Sequence, residues 1–257
     1  MDWLRDLTRT VSRALPRTRL PGAREPVPEG QPASVEEVIR RLRALDATLP
    51  PEDGVACFNR MYLRVTELVA ERITLGDFRN ETFMTRLDVV FAALYLDAVD
   101  AAQDEVNPSW SPLFERRGQG LAPVQFALAG MNAHINHDLP VAVVRTCRQL
   151  GLSPTSAGVH ADYDRVSDIL ATVHAEVRQS FLDGMVLSVD REVSPLLTLV
   201  GSWSVTRARD AAWVNTEVLW RLRRKESLDA EFRATLARTV GMATRQLLVP
   251  VAAPATP

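Results

Sequence analysis

The chain has 257 residues, 46% of them hydrophobic and 24% charged, with 30 basic and 32 acidic side chains giving a formal charge of -2. That length gives room for a sizeable core in one large or two small domains, and the composition excludes a largely disordered chain. The charge balance excludes a general nucleic-acid binder, which must neutralise many phosphates, and no run of about 18 uninterrupted apolar residues offers a membrane span.

At the N-terminus, Trp3, Leu4, Leu7, Val11 and Leu15 recur at helical spacing beside Arg5, Arg9 and Arg13. Residues 1–15 therefore read as a short basic amphipathic helix, with at most weak peripheral membrane contact and a greater tendency to pack on the domain or fray. Asp2 and Asp6 interrupt any signal-peptide core. Residues 16–32, with Pro16, Pro21, Pro26 and Pro28, cannot continue a helix and read as a linker. From residue 33 to 249 apolar residues recur at three and four, and strand-like alternation is scarce, which predicts an all-α domain, an irregular multi-helix bundle.

The first predicted helix of this domain starts at a Ser34/Glu37 capping box and stops before Pro50 and Pro51. Further helices are predicted over Val55–Thr74, Glu81–Gln103, Ala122–Leu150, Ala161–Asp183, Arg191–Val200, Val205–Lys225 and Leu228–Leu247. Shaped loops are expected at Asn107–Gly120, where Trp110 lies between two prolines, and at Gly151–Gly158; residues 250–257 read as a loose tail. Cys57 and Cys147 fall in predicted helices with no CxxC partner, which excludes a zinc ribbon and a disulfide framework and points to a reducing cytoplasm. Lys225 is the only lysine, an arginine bias typical of a GC-rich bacterial genome.

Several polar groups fall on apolar helix faces. In the Val55–Thr74 helix, Tyr62 lies inside the apolar arc and Asn59 and Thr66 at its border, so Asn59 and Tyr62 are candidate ligand contacts and Thr66 reads as bonding back to its own helix. In the stretch Ala129 to Pro140, His134 and Asp138 stand one helical turn apart, with His137 on the adjoining edge. Their face is shared with Ala127 and Gly130, small residues that leave space for either a second helix or a ligand. Pro140 cannot donate to the Asn136 carbonyl, so the helix should kink or restart there. Asp162 projects onto the buried side of the next helix, Asp164 and Asp168 onto the wet side, and His174 borders the stripe. Arg209, Trp213, Glu217 and Trp220 follow at helical spacing, placing Glu217 between two indoles, where desolvation would raise its pKa.

The pieces Cys57-Phe58-Asn59-Arg60-Met61-Tyr62, Ala129 to Pro140, Asp162-Tyr163 with Val166, and Ala208-Arg209 followed by Ala212-Trp213 resemble a bacterial family of unknown function, domain-of-unknown-function family 5995. The resemblance runs from about Ala33 to Leu247, and its most specific part is Gly-Met-Asn-Ala-His-Ile-Asn with an aspartate two residues on. It implies a helical domain in which His134 and Asp138 matter more than His137, whose place in the motif varies. Ser167 stands where the family pattern has asparagine. No activity comes with the resemblance.

Three arrangements of His134, His137, Asp138 and Asp162 are open. As a metal site, these imidazoles and carboxylates suit zinc, iron or manganese, with Asp162 or His160 completing the shell, for hydrolysis or oxidation. As a metal-free catalytic site, Asp138 orients His134 as a general acid or base, Asp162 serves as a second acid, and Arg209 holds an anionic substrate group. As a structural element, His134 and Asp138 form a satisfied buried pair in a non-catalytic ligand-binding or scaffold protein. Gly130, Trp213 and Glu217 join Asn59 and Tyr62 as candidate ligand contacts. An HD-type phosphohydrolase is disfavoured, because no histidine precedes His134; no nucleophile sits in an elbow motif. The expected partner is a small molecule, with substrate and oligomeric state unspecified.

Overall fold

The computed structural model describes residues 28, 30–167, 169–170 and 204–250. The expected helix at 1–15, most of the linker at 16–32, the helix at 191–200, His174, Asp168 and the tail lie outside the described residues.

Helix α1 (Val35–Thr48) begins at Ser34, whose Oγ accepts from the Glu37 amide at 3.3 Å. The Glu37 carboxylate reaches back to the Ala33 amide at 2.9 Å, so the reciprocal cap predicted from the sequence is displaced by one residue. Helix α2 (Gly54–Thr74) is capped by Asp53, whose other oxygen pairs with Arg117 at 2.7 Å. Helix α3 (Glu81–Asp100) is capped by Asn80. The predicted loop at Asn107–Gly120 holds a short helix, α4 (Ser111–Arg116), with Trp110 fully buried at its start.

Helix α5 (Pro123–Ala133) has every residue from Val124 onward buried. A helix buried on every side belongs in the middle of a bundle. It packs against α2 and the helix Glu226–Leu247, and its continuation, α6 (Leu139–Leu150), packs against α3 and the helix Val205–Leu222. Between α5 and α6, His134–Asp138 form a single π-helical turn in which the Leu139 amide donates to the His134 carbonyl. The wider turn answers the problem set by Pro140, which has no N–H for Asn136, and the helix restarts with that proline in its first turn. It ends at Gly151, left-handed at φ 69°, which glycine adopts without steric cost.

Residues 159–167 form helix α7, followed after the undescribed segment by α8 (Val205–Leu222) and α9 (Glu226–Leu247). Among the described residues there are no strands, and no helix is long and apolar enough to cross a membrane. The chain is an all-α bundle forming a single domain around a main apolar core, with a small second cluster of Val141, Val144 and Leu219 beside it.

Candidate functional site around His134

The π-turn brings two imidazoles onto one carboxylate. His134 Nδ1 lies 2.9 Å from Asp138 Oδ2 and His137 Nδ1 lies 2.7 Å from Oδ1. Trp110 donates its indole N–H to Oδ2 at 2.9 Å. All four residues are buried. Burial opposes the Asp138 charge, but the hydrogen bonds from His134 and His137 outweigh it and hold its carboxyl below the usual range. An ionised carboxylate can only accept, so both imidazoles carry their proton on Nδ1. For His137 the remaining nitrogen faces Asn107 Nδ2 at 3.4 Å, and Asn107 in turn accepts from Ser109. The remaining nitrogen of His134, Nε2, is buried with no hydrogen-bond partner.

Burial holds the His134 imidazole below its ordinary value, since losing water penalises the imidazolium more than the Asp138 hydrogen bond and charge favour it. At neutral pH it is therefore a neutral base with a bare lone pair. Its ring is stacked on Phe91, centroids 3.5 Å apart, and meets the edge of Tyr62 at 4.5 Å. The group is fixed in tautomer by Asp138 and in orientation by two aromatic rings.

His134 lines a cavity of about 80 Å³, several times the ~10–15 Å³ that one water needs. Helices α2, α3, α5 and α7 supply the apolar walls, among them Phe58, Met61, Leu87, Phe91, Met131 and Val166. Four other polar side chains line it: Tyr62, Asp88, Tyr163 and Arg209. Tyr62 Oη and Asp88 Oδ2 are, like His134 Nε2, buried atoms without a partner. Desolvation alone pushes the Asp88 carboxyl up to about 7 and, with the nearby Asp88 charge, pushes the Tyr62 phenol well above its ordinary value. Buried polar atoms in folded proteins are overwhelmingly paired, so three orphans on residues lining one cavity mark a place where a partner is missing.

The structure keeps some of the predicted residues here and assigns others elsewhere. His134, His137 and Asp138 come together, and Tyr62 and Arg209 line the same cavity. Asp162 is buried as predicted, but it is not part of this cluster. Its two oxygens accept from the Arg79 and Asn80 amides at 2.9 and 2.6 Å, closing the loop that leads into α3. Exposed His160 stacks on Trp213 at 4.1 Å, away from the paired imidazoles. Among the described residues no group of three His, Cys, Asp or Glu side chains is placed to share a metal ion, so the tetrad of His134, His137, Asp138 and Asp162 is not assembled. The Asn59 side chain is occupied inside the core, donating to the Leu42 carbonyl at 2.9 Å and accepting from Tyr95. Thr66 bonds back to the Tyr62 carbonyl as expected.

The space left by Gly130 belongs to a neighbouring helix and not to a ligand: a Cβ there would lie 2.2 Å from the Phe58 ring. Glu217 points to solvent, with Arg221 at 4.0 Å, because the helical stripe turns only one side of α8 inward. Trp213 packs on His160 and Tyr163 and does not line the cavity.

Trp110, Asp88 and Phe91 were missed by the sequence reading. Asp88 carried a signal, as a lone acid inside Met84–Leu96, and so did Trp110 between Pro108 and Pro112. Nothing in the sequence ties either to His134, because the packing of distant segments brings Trp110 to Asp138 and puts Asp88 on the same cavity.

The fold and site define an all-helical domain with a buried His–Asp–Trp network whose His134 lines an apolar cavity. The chain belongs to the family described as "Family of unknown function (DUF5995)", which it matches over residues 35–250. No curated protein and no solved structure matches it.

Proposed function

We propose that the cavity takes up a small, largely apolar molecule that carries an O–H or N–H group, and that His134 Nε2 accepts that group's hydrogen bond and, in an acid–base reaction, its proton. The observation that carries this reading is the unpartnered Nε2 of a neutral imidazole whose other nitrogen is fixed by Asp138. A general base needs a bare lone pair at working pH and a rigid mount, and desolvation supplies the first while Asp138, Trp110 and Phe91 supply the second. Asp88, raised to about 7, retains much of its proton near neutral pH and is the complementary donor on another wall. Environments that push two titratable groups in opposite directions are a recurring arrangement for acid–base work. No serine, threonine or cysteine is among the described residues that line the cavity, which favours proton transfer or binding over acyl transfer.

A second reading is favoured by the depth of Asp138: the network braces the π-turn and the cavity binds without turnover. Both readings place a ligand against His134. The experiment is fluorescence titration with a small environment-sensitive apolar probe bearing an N–H group, on the wild type and on His134→Ala. Saturable binding that weakens at least tenfold in a variant that still unfolds cooperatively supports the site; equal binding to both proteins overturns it. The buried thiols of Cys57 and Cys147 support a reducing, cytoplasmic setting.

A further inference from the structure

We infer that the molecule taken into this cavity is an apolar monocarboxylic acid whose carboxylate sits on Arg209, an assignment that rests on the reading of the cavity as a small-molecule site. Arg209 lies on α8 with only 4% of its surface exposed, and it lines the same cavity as His134. Its Nε donates to Ser167 Oγ at 3.1 Å and its Nη2 to the Tyr163 carbonyl, while the guanidinium carbon stands 4.1 Å from the centre of the Tyr163 ring. Tyr163 returns a hydrogen bond to the Arg209 carbonyl at 2.7 Å. These contacts orient the guanidinium, and none of them carries a negative charge.

The acids that act on Arg209 through space are Asp164 and Asp210, both exposed, and among the described residues no carboxylate comes within ion-pairing distance of it. Asp162, the buried acid of α7, is committed to the amides of Arg79 and Asn80. A guanidinium stays protonated even when desolvation lowers its pKa, so among the described residues this buried cation has no counter-ion. Such a charge is costly unless paired. An anion arriving in the cavity removes that cost, and the surrounding Phe58, Met61, Val65, Leu87, Phe91 and Ile135 demand that the rest of the molecule be apolar apart from any donor that meets His134.

The charge arithmetic selects the headgroup. One buried cation balances one negative charge, and among the described residues that line the cavity no second arginine or lysine is present to balance another. A phosphate monoester, close to a dianion at neutral pH, is therefore mismatched, whereas a carboxylate suits the planar fork of arginine.

The test is calorimetric titration of the full chain with hexanoate, decanoate and tetradecanoate, each beside its matched alcohol, with decylamine and decyl phosphate as further arms, all below their micelle thresholds. The expected result is that at least one acid binds tenfold or more tightly than its alcohol, and that decylamine and decyl phosphate bind more weakly than decanoate. An alcohol that binds as tightly as its acid, or a decyl phosphate tighter than decanoate, overturns the assignment while leaving the apolar site standing. Failure of every acid and alcohol to bind overturns the cavity reading as well. Arg209→Gln should abolish the preference for acid over alcohol while retaining affinity for the alcohol; a folded variant that keeps the preference refutes the role given to Arg209. Because Arg209 also ties α7 to α8, the variant's cooperative unfolding is measured alongside, and if it does not fold the acid-to-alcohol ratio of the wild type decides the question.

Discussion

Asp88→Asn provides a quantitative check on the physical state of the cavity. The folded chain keeps a proton on Asp88 up to about pH 7, whereas the ordinary carboxyl of the unfolded chain releases it near 3.8. Between those values the folded state binds more protons, so stability falls as pH rises, and above about pH 7 both states are ionised and the penalty is constant. The displacement of about 3 pK units, at 1.36 kcal/mol each, amounts to about 4 kcal/mol. Asparagine is uncharged throughout and close in shape to the protonated acid, so it escapes the penalty. Of the ~4 kcal/mol, roughly 1.5 is present at pH 5 and the remainder develops by pH 8.

Urea unfolding of the ligand-free wild type and Asp88→Asn at the two pH values reads this directly. The advantage of the variant should grow by roughly 2.5 kcal/mol from pH 5 to pH 8, with unchanged m-values. His134 titrates in both proteins and cancels in the subtraction. A difference between the two proteins that does not change with pH refutes a desolvated carboxyl at this position, and with it the dry cavity wall.

Asp138→Ala leaves the Nδ1 protons of His134 and His137 and the Trp110 indole without their acceptor, so at about 1–3 kcal/mol for each orphaned donor it should cost clearly more in chemical denaturation than His134→Ala. Equal losses, with a double variant no worse than either single, would show that His134 serves only the brace. Asp162→Ala removes the acceptor of two amides at the entry to α3 and should lower stability by about 1–2 kcal/mol without changing probe binding to the cavity, whereas lost binding would place it in the site. Gly241→Ala puts a Cβ 2.1 Å from the Pro108 carbonyl oxygen, a backbone atom that cannot swing aside, and should lower Tm through a loss of about 1–3 kcal/mol. An unchanged Tm there would mean that the Pro108 loop yields freely.

The sequence alone marked the long helices among the described residues, because they carry their own evidence: apolar residues at three and four, a capping side chain such as Ser34, and prolines or glycines at the ends; the short helix Ser111–Arg116, in an expected loop, was not legible. The sequence also placed His134 and Asp138 within reach of each other, since helical spacing is a local property, and it marked Pro140 as the point where the helix had to change. What only the tertiary structure decided depends on which helix lies opposite which face. Periodicity could say that Asp162 is buried, yet the amides of Arg79 and Asn80 that claim it come from more than 80 positions earlier. Gly130 could admit a ligand or a helix, and the Phe58 ring settled that. Glu217 lay between two tryptophans in sequence, but the one-sided burial of α8 turned it to solvent. Trp110 and Asp88 joined the His134 site for the converse reason, because contacts between distant segments are fixed by the packing of the whole core and leave no local pattern to read.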